Sequence, residues 1–361
     1  MTKKRKIIIF FIVICLCCFN LSMLIGCSSD DTNFDFNIPE TSADAFAYQI
    51  NDNEVYITGL TKYGRELKEL HIPEKIEGKH VVGLKNTELN SSSFDFSDLD
   101  ETSFICNANT IVLPCTIKTI SRYFFTKTTA NAIKINGELG TIPNYSFRNA
   151  NIKHVFVEEG VSEIGEGAFL GSDIETVSLP SSLRVIQDSA FKFCEKLNKV
   201  DISEGLEKIK SFAFSACYNL KVIVFPNSLR YIGSYVFSPY SYYEEMQIEK
   251  VVVGKSIETI ENNAFQSCSV DLYCYSQKPP CGNLTGVKTY NILEENYEAW
   301  VNSGSVSSDK VKTFDPNNLD LTVAGGGCSS FNLLTWIGIF LGVAILISIA
   351  KEIYKKYKQK N

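Results

Sequence analysis

An isoleucine followed five positions later by a phenylalanine recurs along the middle of this chain, as Ile120/Phe125, Ile142/Phe147, Ile164/Phe169, Ile186/Phe191, Ile209/Phe214, Ile232/Phe237 and Ile260/Phe265. From one phenylalanine to the next the numbering steps by 22, 22, 22, 23, 23 and 28. Short β-rich runs keep step with them at 111–114, 133–135, 155–157, 177–180, 200–202, 223–226 and 251–253. A unit of this length holds one strand, a turn or two and a return segment. That is too little to bury a core alone, so each unit must stack on its neighbours. The pattern therefore predicts a mostly β solenoid of parallel short strands, one per coil of ~22 residues, reaching roughly 35–45 Å for about seven or eight coils. Within a run the side chains alternate, so Val177 and Leu179 point inward and Ser178 outward. The phenylalanines are expected to stack inside as an aromatic ladder.

The repeat is written most plainly at 179–197, as Leu-Pro-Ser-Ser-Leu-Arg-Val-Ile-Gln-Asp-Ser-Ala-Phe-Lys-Phe-Cys-Glu-Lys-Leu. This resembles the BspA-type leucine-rich repeats of bacterial and protist surface proteins. The resemblance extends to residues 48–84, which look like that family's N-terminal cap, and to 272–280 with a helix over 294–300, which look like its C-terminal cap. It implies a leucine-rich repeat solenoid with caps at both ends and a role in adhesion to proteins of host or neighbouring cells. Three departures stand out. Leu89 takes the place of the first phenylalanine, residues 90–110 form an irregular insertion, and 241–247 lengthen the sixth interval.

The two ends read as targeting segments. Residues 1–26 carry a basic start, Lys3 to Lys6, and an apolar stretch that together make a secretory signal. Leu24-Ile25-Gly26-Cys27, followed by polar residues, resembles the lipobox of bacterial lipoproteins, which implies lipidation of Cys27 as the mature N-terminus. At the other end, residues 331–350 contain no charge. As a helix they would be about 30 Å long, enough to cross a bilayer. Five lysines follow in the tail 351–361, which places that tail in the cytoplasm and the body outside. The Gly-Gly-Gly-Cys junction at 325–328 fits either a flexible stalk or a sorting signal after which the helix is removed. The expected organisation is a signal at 1–26, a linker at 27–45, an N-terminal cap at 46–90, repeats at 91–270, a C-terminal cap at 271–316, a stalk at 317–330, a transmembrane helix at 331–350 and the basic tail.

Charge narrows the partners. The chain carries a net −6, and each end contributes +4, which leaves −14 on residues 27–350. Such a body repels phosphate, so nucleic acid is not an expected partner. The glycine-rich stretch at 165–171 has the wrong spacing for a dinucleotide loop and shares the register of 187–191, so its glycines read as turn residues. His71, His80 and His154 lack metal-ligand spacing, and no nucleophile-elbow sequence occurs. No cofactor, metal or enzymatic activity is expected; a hydrolase would need a polar pocket near the 90–110 insertion. Eight cysteines follow Cys27. Cys194, Cys217 and Cys268 share one repeat position, three residues after the phenylalanine, and read as buried free thiols filling the spine. Cys274 and Cys281 flank a Pro-Pro turn and are the pair most suited to a disulfide.

What remains is the strand face. Val112, Lys134, Phe156, Ser178, Asp201, Val224 and Val252 hold equivalent outward positions. Thr110, Ala132, His154, Thr176, Lys199, Val222 and Lys250 precede them by two residues. The mixture of apolar and charged groups suits an unidentified protein or surface macromolecule, the alternative being an ordinary solvated sheet face. Tyr240, Tyr242 and Tyr243 form an aromatic insertion that either contacts a partner or packs back on the coil.

Overall fold

Two tight hairpins begin the fold, and local backbone chemistry explains both. Asp52 and Asn53 take positive φ of 48° and 70° between the antiparallel strands Phe46–Asn51 and Glu54–Leu60. A type I′ turn demands this. Glu77 and Gly78 do the same, at 51° and 75°, between Lys75–Ile76 and Lys79–Leu84. The computed structural model describes residues 34–86, 104–240, 246–280, 284–319 and 321. From Phe36 onward the stretch expected as a linker belongs to the fold, with a short turn at Ala43–Ala45 leading into the first strand.

Beyond this cap the chain winds into a parallel solenoid. One sheet of six strands runs Glu69–His71, Asn107–Val112, Thr129–Ile135, Asn151–Val157, Thr176–Leu179 and Lys199–Ile202. A second, of five strands, continues with Val222–Val224, Lys250–Val253, Val270–Cys274, Val287–Leu293 and Val311–Phe314. Among the described residues eleven strands thus line one face, more than the seven or eight coils expected, because the caps add their own strands to the row. Lys199–Ile202 and Val222–Val224 are not paired, so the row breaks once, and there Val200 and Ile202 are only half-buried while Val177 and Leu179 one coil earlier are buried.

The return segments form a row of their own. Two-residue strands ending in Ile142, Ile164, Ile186, Ile209, Ile232 and Ile260 pair in parallel as a second six-stranded sheet. Between the rows the phenylalanines stack as expected. Ring centroids from Phe125 to Phe147, Phe169, Phe191, Phe214, Phe237 and Phe265 are 4.5, 5.0, 5.2, 5.3, 5.9 and 5.5 Å apart in turn, with planes within 21° of parallel. Among the described residues Phe104 closes the ladder's first end. It is buried, lies 5.3 Å from both Phe124 and Phe125, and its carbonyl accepts a bond from Thr128 in the ladder's register. Leu89 lies outside the described residues.

Each ladder segment is bonded to the next coil by main-chain bonds from alternate residues, as in Ser189 N–H to Ser211 O, Phe191 N–H to Ala213 O and Phe193 N–H to Ser215 O. Pointing alternate amides the same way bends the backbone into left-handed conformations two residues before and after the phenylalanine. Ser189 and Phe193 (φ 58° and 61°), Phe212 and Ala216 (59° and 58°) and Gly167 and Gly171 (55° and 70°) all sit there. The glycine-rich stretch is therefore the coil whose left-handed positions carry glycine. Its amides are already used, Gly165 N–H by Ile142 O, Gly167 N–H by Asp188 O and Gly171 N–H by Lys192 O, which leaves no cradle for an anion.

The repeat cysteines are buried or nearly so, but they do more than fill space. Cys194, Cys217 and Cys268 donate their S–H to the carbonyls of Phe169, Phe191 and Phe237 at 3.1, 3.1 and 3.0 Å. At the same position Thr128 and Ser172 use a hydroxyl on Phe104 and Phe147. Burial pushes the Cys268 thiol up to about 12 and raises those of Cys194 and Cys217 as well, so these are inert donors. Cys274 is likewise a thiol, bonded to the Ser276 hydroxyl at 3.1 Å. Its expected partner Cys281 lies outside the described residues, as do Cys27 and the 331–350 segment. Among the described residues no helix is long and apolar enough to cross a membrane.

Candidate functional site

Parallel pairing in register makes the outward row an ordered display, because residues at one repeat position become neighbours across strands. Val112 pairs with Lys134, Lys134 with Phe156, Phe156 with Ser178 and Ser178 with Asp201. After the break, Val224 pairs with Val252. The row continues further than its repeat pattern reveals, to His71 before Val112 and to Tyr273, Asn291 and Lys312 after Val252. Tyr273 could have been found by extending the alternation of 272–274; Asn291 and Lys312 follow register shifts and irregular spacing that hide them.

Exposure along this row is uneven, and two expected contact residues are buried. Val112 is 6% exposed and Val252 4%. Val252 lies between Val224 and Tyr273, whose ring packs edge-on against Phe314 at 5.4 Å. Around Val112 the second outward row is closed too, with Thr110 4% and Ala132 0% exposed. The protein's own N-terminal segment lies against this end of the face. Thr41 N–H donates to His71 O, His71 N–H to Thr41 Oγ1 and His71 Nδ1–H to Ile38 O, at 2.9, 3.0 and 2.7 Å. Three strands along, the Phe36 ring meets Phe156 edge-on at 5.0 Å.

The middle of the face is the accessible part. Lys199 and Asp201 are exposed and form an ion pair at 3.0 Å, Lys134 pairs with Glu158 at 2.6 Å, and Val224, 38% exposed, is the most open apolar residue of the row. His154 is bonded to the Thr176 hydroxyl at 2.9 Å, and burial lowers its pKa. These paired charges flank half-buried apolar groups. Tyr240 is elsewhere. It occupies the position three residues after Phe237, on the turn edge, with its ring 5.1 Å from Phe193 and 72% exposed. It is thus not brought together with the strand row; Tyr242 and Tyr243 lie outside the described residues.

Comparison with known families agrees with this architecture. The model of the BspA type leucine rich repeat region matches in overlapping stretches, at residues 47–151, 84–197 and 140–271. The chain belongs to this family. The BspA-type match covers the N-terminal hairpins and the coils through Asp271. Similar solved structures include a leucine-rich repeat protein from Bacteroides ovatus ATCC 8483, with 20% identity over 80% of this chain and 84% of that one and a TM-score of 0.41. The pneumococcal vaccine antigen PcpA shows 15% identity over 76% and 98%, with a TM-score of 0.37. A leucine rich cell surface protein from Faecalibacterium prausnitzii A2-165 shows 15% identity over 73% and 97%, with a TM-score of 0.27. A search of curated proteins finds no match.

Proposed function

We propose that this BspA-type array binds a protein or other macromolecule of a neighbouring cell through its strand face, and acts by recognition and not by catalysis. The observation that carries the reading is the register, which brings Lys134, Phe156, Ser178 and Asp201 into one line on four adjacent strands. A flat row of this kind offers contact area and fixed spacing, the properties recognition requires. The sequence of the two ends supports a surface location, with Cys27 lipidated in the outer leaflet and 331–350 spanning the same membrane.

Two measurements test these statements. In a triple variant, Lys134→Glu, Phe156→Ala and Asp201→Lys, cells displaying the chain should adhere to neighbouring cells at least about fivefold less, as expected when a central contact patch is disrupted. Unchanged adherence, with the variant folded and displayed at wild-type levels, would favour a structural role in the envelope. Intact mass of the membrane-extracted protein should show residues 1–26 removed and a lipid on Cys27. An unmodified Cys27 overturns the lipoprotein reading, and the same mass reports whether 331–350 is retained.

A further inference from the structure

We propose that the face between His71 and Asp201 is a groove for an extended polypeptide bearing an aromatic side chain, supplied by a partner protein, and that Phe36–Thr41 is the chain's own occupant of it. The inference rests on the binding role above and names the class of ligand. Phe36–Thr41 belongs to no coil and has no regular structure, yet it is held at both ends. At one end Thr41 pairs with the backbone of His71, the edge strand of the sheet, and Glu40 Oε1 accepts from Glu74 N–H at 3.1 Å. At the other end the Phe36 ring rests on Phe156.

Distance fixes how the segment lies. His71 and Phe156 are three strands apart in the row, roughly 14 Å at about 4.8 Å per strand. Five residues span at most about 17 Å when extended. The segment therefore spans the strands carrying Val112 and Lys134, where the outward residues Thr110, Val112 and Ala132 are closed. Past Phe156 the face is open at Lys199, Asp201 and Val224.

The contacts themselves identify the ligand. A main-chain carbonyl on the His71 imidazole, a hydroxyl and an amide on a strand edge, and an aromatic ring on Phe156 are features any extended peptide offers. None depends on the segment being covalently continuous with the coils. Tethering gives the internal segment an effective concentration in the millimolar range, so a foreign segment enters only when this one is displaced or when it binds more tightly.

The test uses a labelled peptide of residues 34–42, Phe-Asp-Phe-Asn-Ile-Pro-Glu-Thr-Ser, titrated by fluorescence anisotropy into the purified full-length chain. Phe36→Ser combined with Thr41→Pro removes the ring contact, the hydroxyl and the amide donor without touching a ladder residue. That variant should bind the peptide at least tenfold more tightly than wild type, and adding Phe156→Ala should return binding to the wild-type level. Hydrogen exchange at the His71 and Val112 amides reports release of the segment independently. Equal binding by wild type and released variant, or no binding once exchange shows release, overturns the groove. Concentration-dependent dimers of the wild-type chain that exchange this segment would place a second copy there and overturn the choice of a foreign partner. If the peptide binds as expected while the triple variant above leaves adherence unchanged, the groove stands and the adhesive role falls; the reverse result separates them the other way.

Discussion

Replacing Phe191 by alanine is expected to lower the unfolding free energy of the array by about 3–5 kcal/mol. The ring is fully buried, stacked 5.2 Å from Phe169 and 5.3 Å from Phe214 with planes 5° and 1° from parallel. Its removal costs the transfer energy of a buried aromatic and leaves a void that two flanking rings, each locked by its own neighbour, cannot close. The Phe191 carbonyl still accepts the Cys217 thiol in the variant, so the loss belongs to the side chain alone. Urea unfolding should show a lower midpoint with an unchanged slope, and Phe191→Leu should recover part of the difference. A change below about 1 kcal/mol would mean that the ladder is not the spine of the molecule.

A change at Trp300 is expected to be as large but to show itself differently. Trp300 is fully buried under the last coils, on the helix Tyr297–Asn302, with its indole N–H donating to Ser276 O at 3.1 Å and its ring 6.1 Å from that of Tyr290. Tyr290 in turn accepts the Leu284 amide through its hydroxyl at 2.7 Å. Trp300→Ala should cost about 3–5 kcal/mol at this end through the cavity and the lost indole bond. Because coils in a solenoid touch only their neighbours, the damage should remain local. Native-state hydrogen exchange should show protection falling first over 270–314 while the coils from Phe125 to Phe214 keep theirs. Uniform loss along the chain would show instead that the array unfolds as one block.

Much of this fold could be read before the structure, and the reasons are particular. The isoleucine and phenylalanine positions repeat because each inner place is filled once per turn, so the ladder and the register of Lys134, Phe156, Ser178 and Asp201 follow from spacing alone. The left-handed positions were hidden because Tyr123, Tyr145, Phe193, Phe212 and Tyr235 fill places where glycine would have marked the turn. Phe104 stands 21 residues before Phe125, one short of the period, and was hidden because it lies in the irregular stretch 90–110. The state of the binding face was not legible either. Val112 and Val252 share the register of the outward row yet are buried, which their spacing does not reveal. The break between Lys199–Ile202 and Val222–Val224 likewise leaves no mark in the spacing, since the ladder crosses it intact.

At five of the seven ladder phenylalanines the residue three places later, Thr128, Ser172, Cys194, Cys217 or Cys268, is a small group that gives one hydrogen to a carbonyl of the previous coil, and both sulfur and oxygen serve there. Cysteine and serine codons differ by a single base. A lineage moving into oxidising surroundings therefore has a path to shed these thiols one turn at a time, each intermediate keeping its inner bond and its shape.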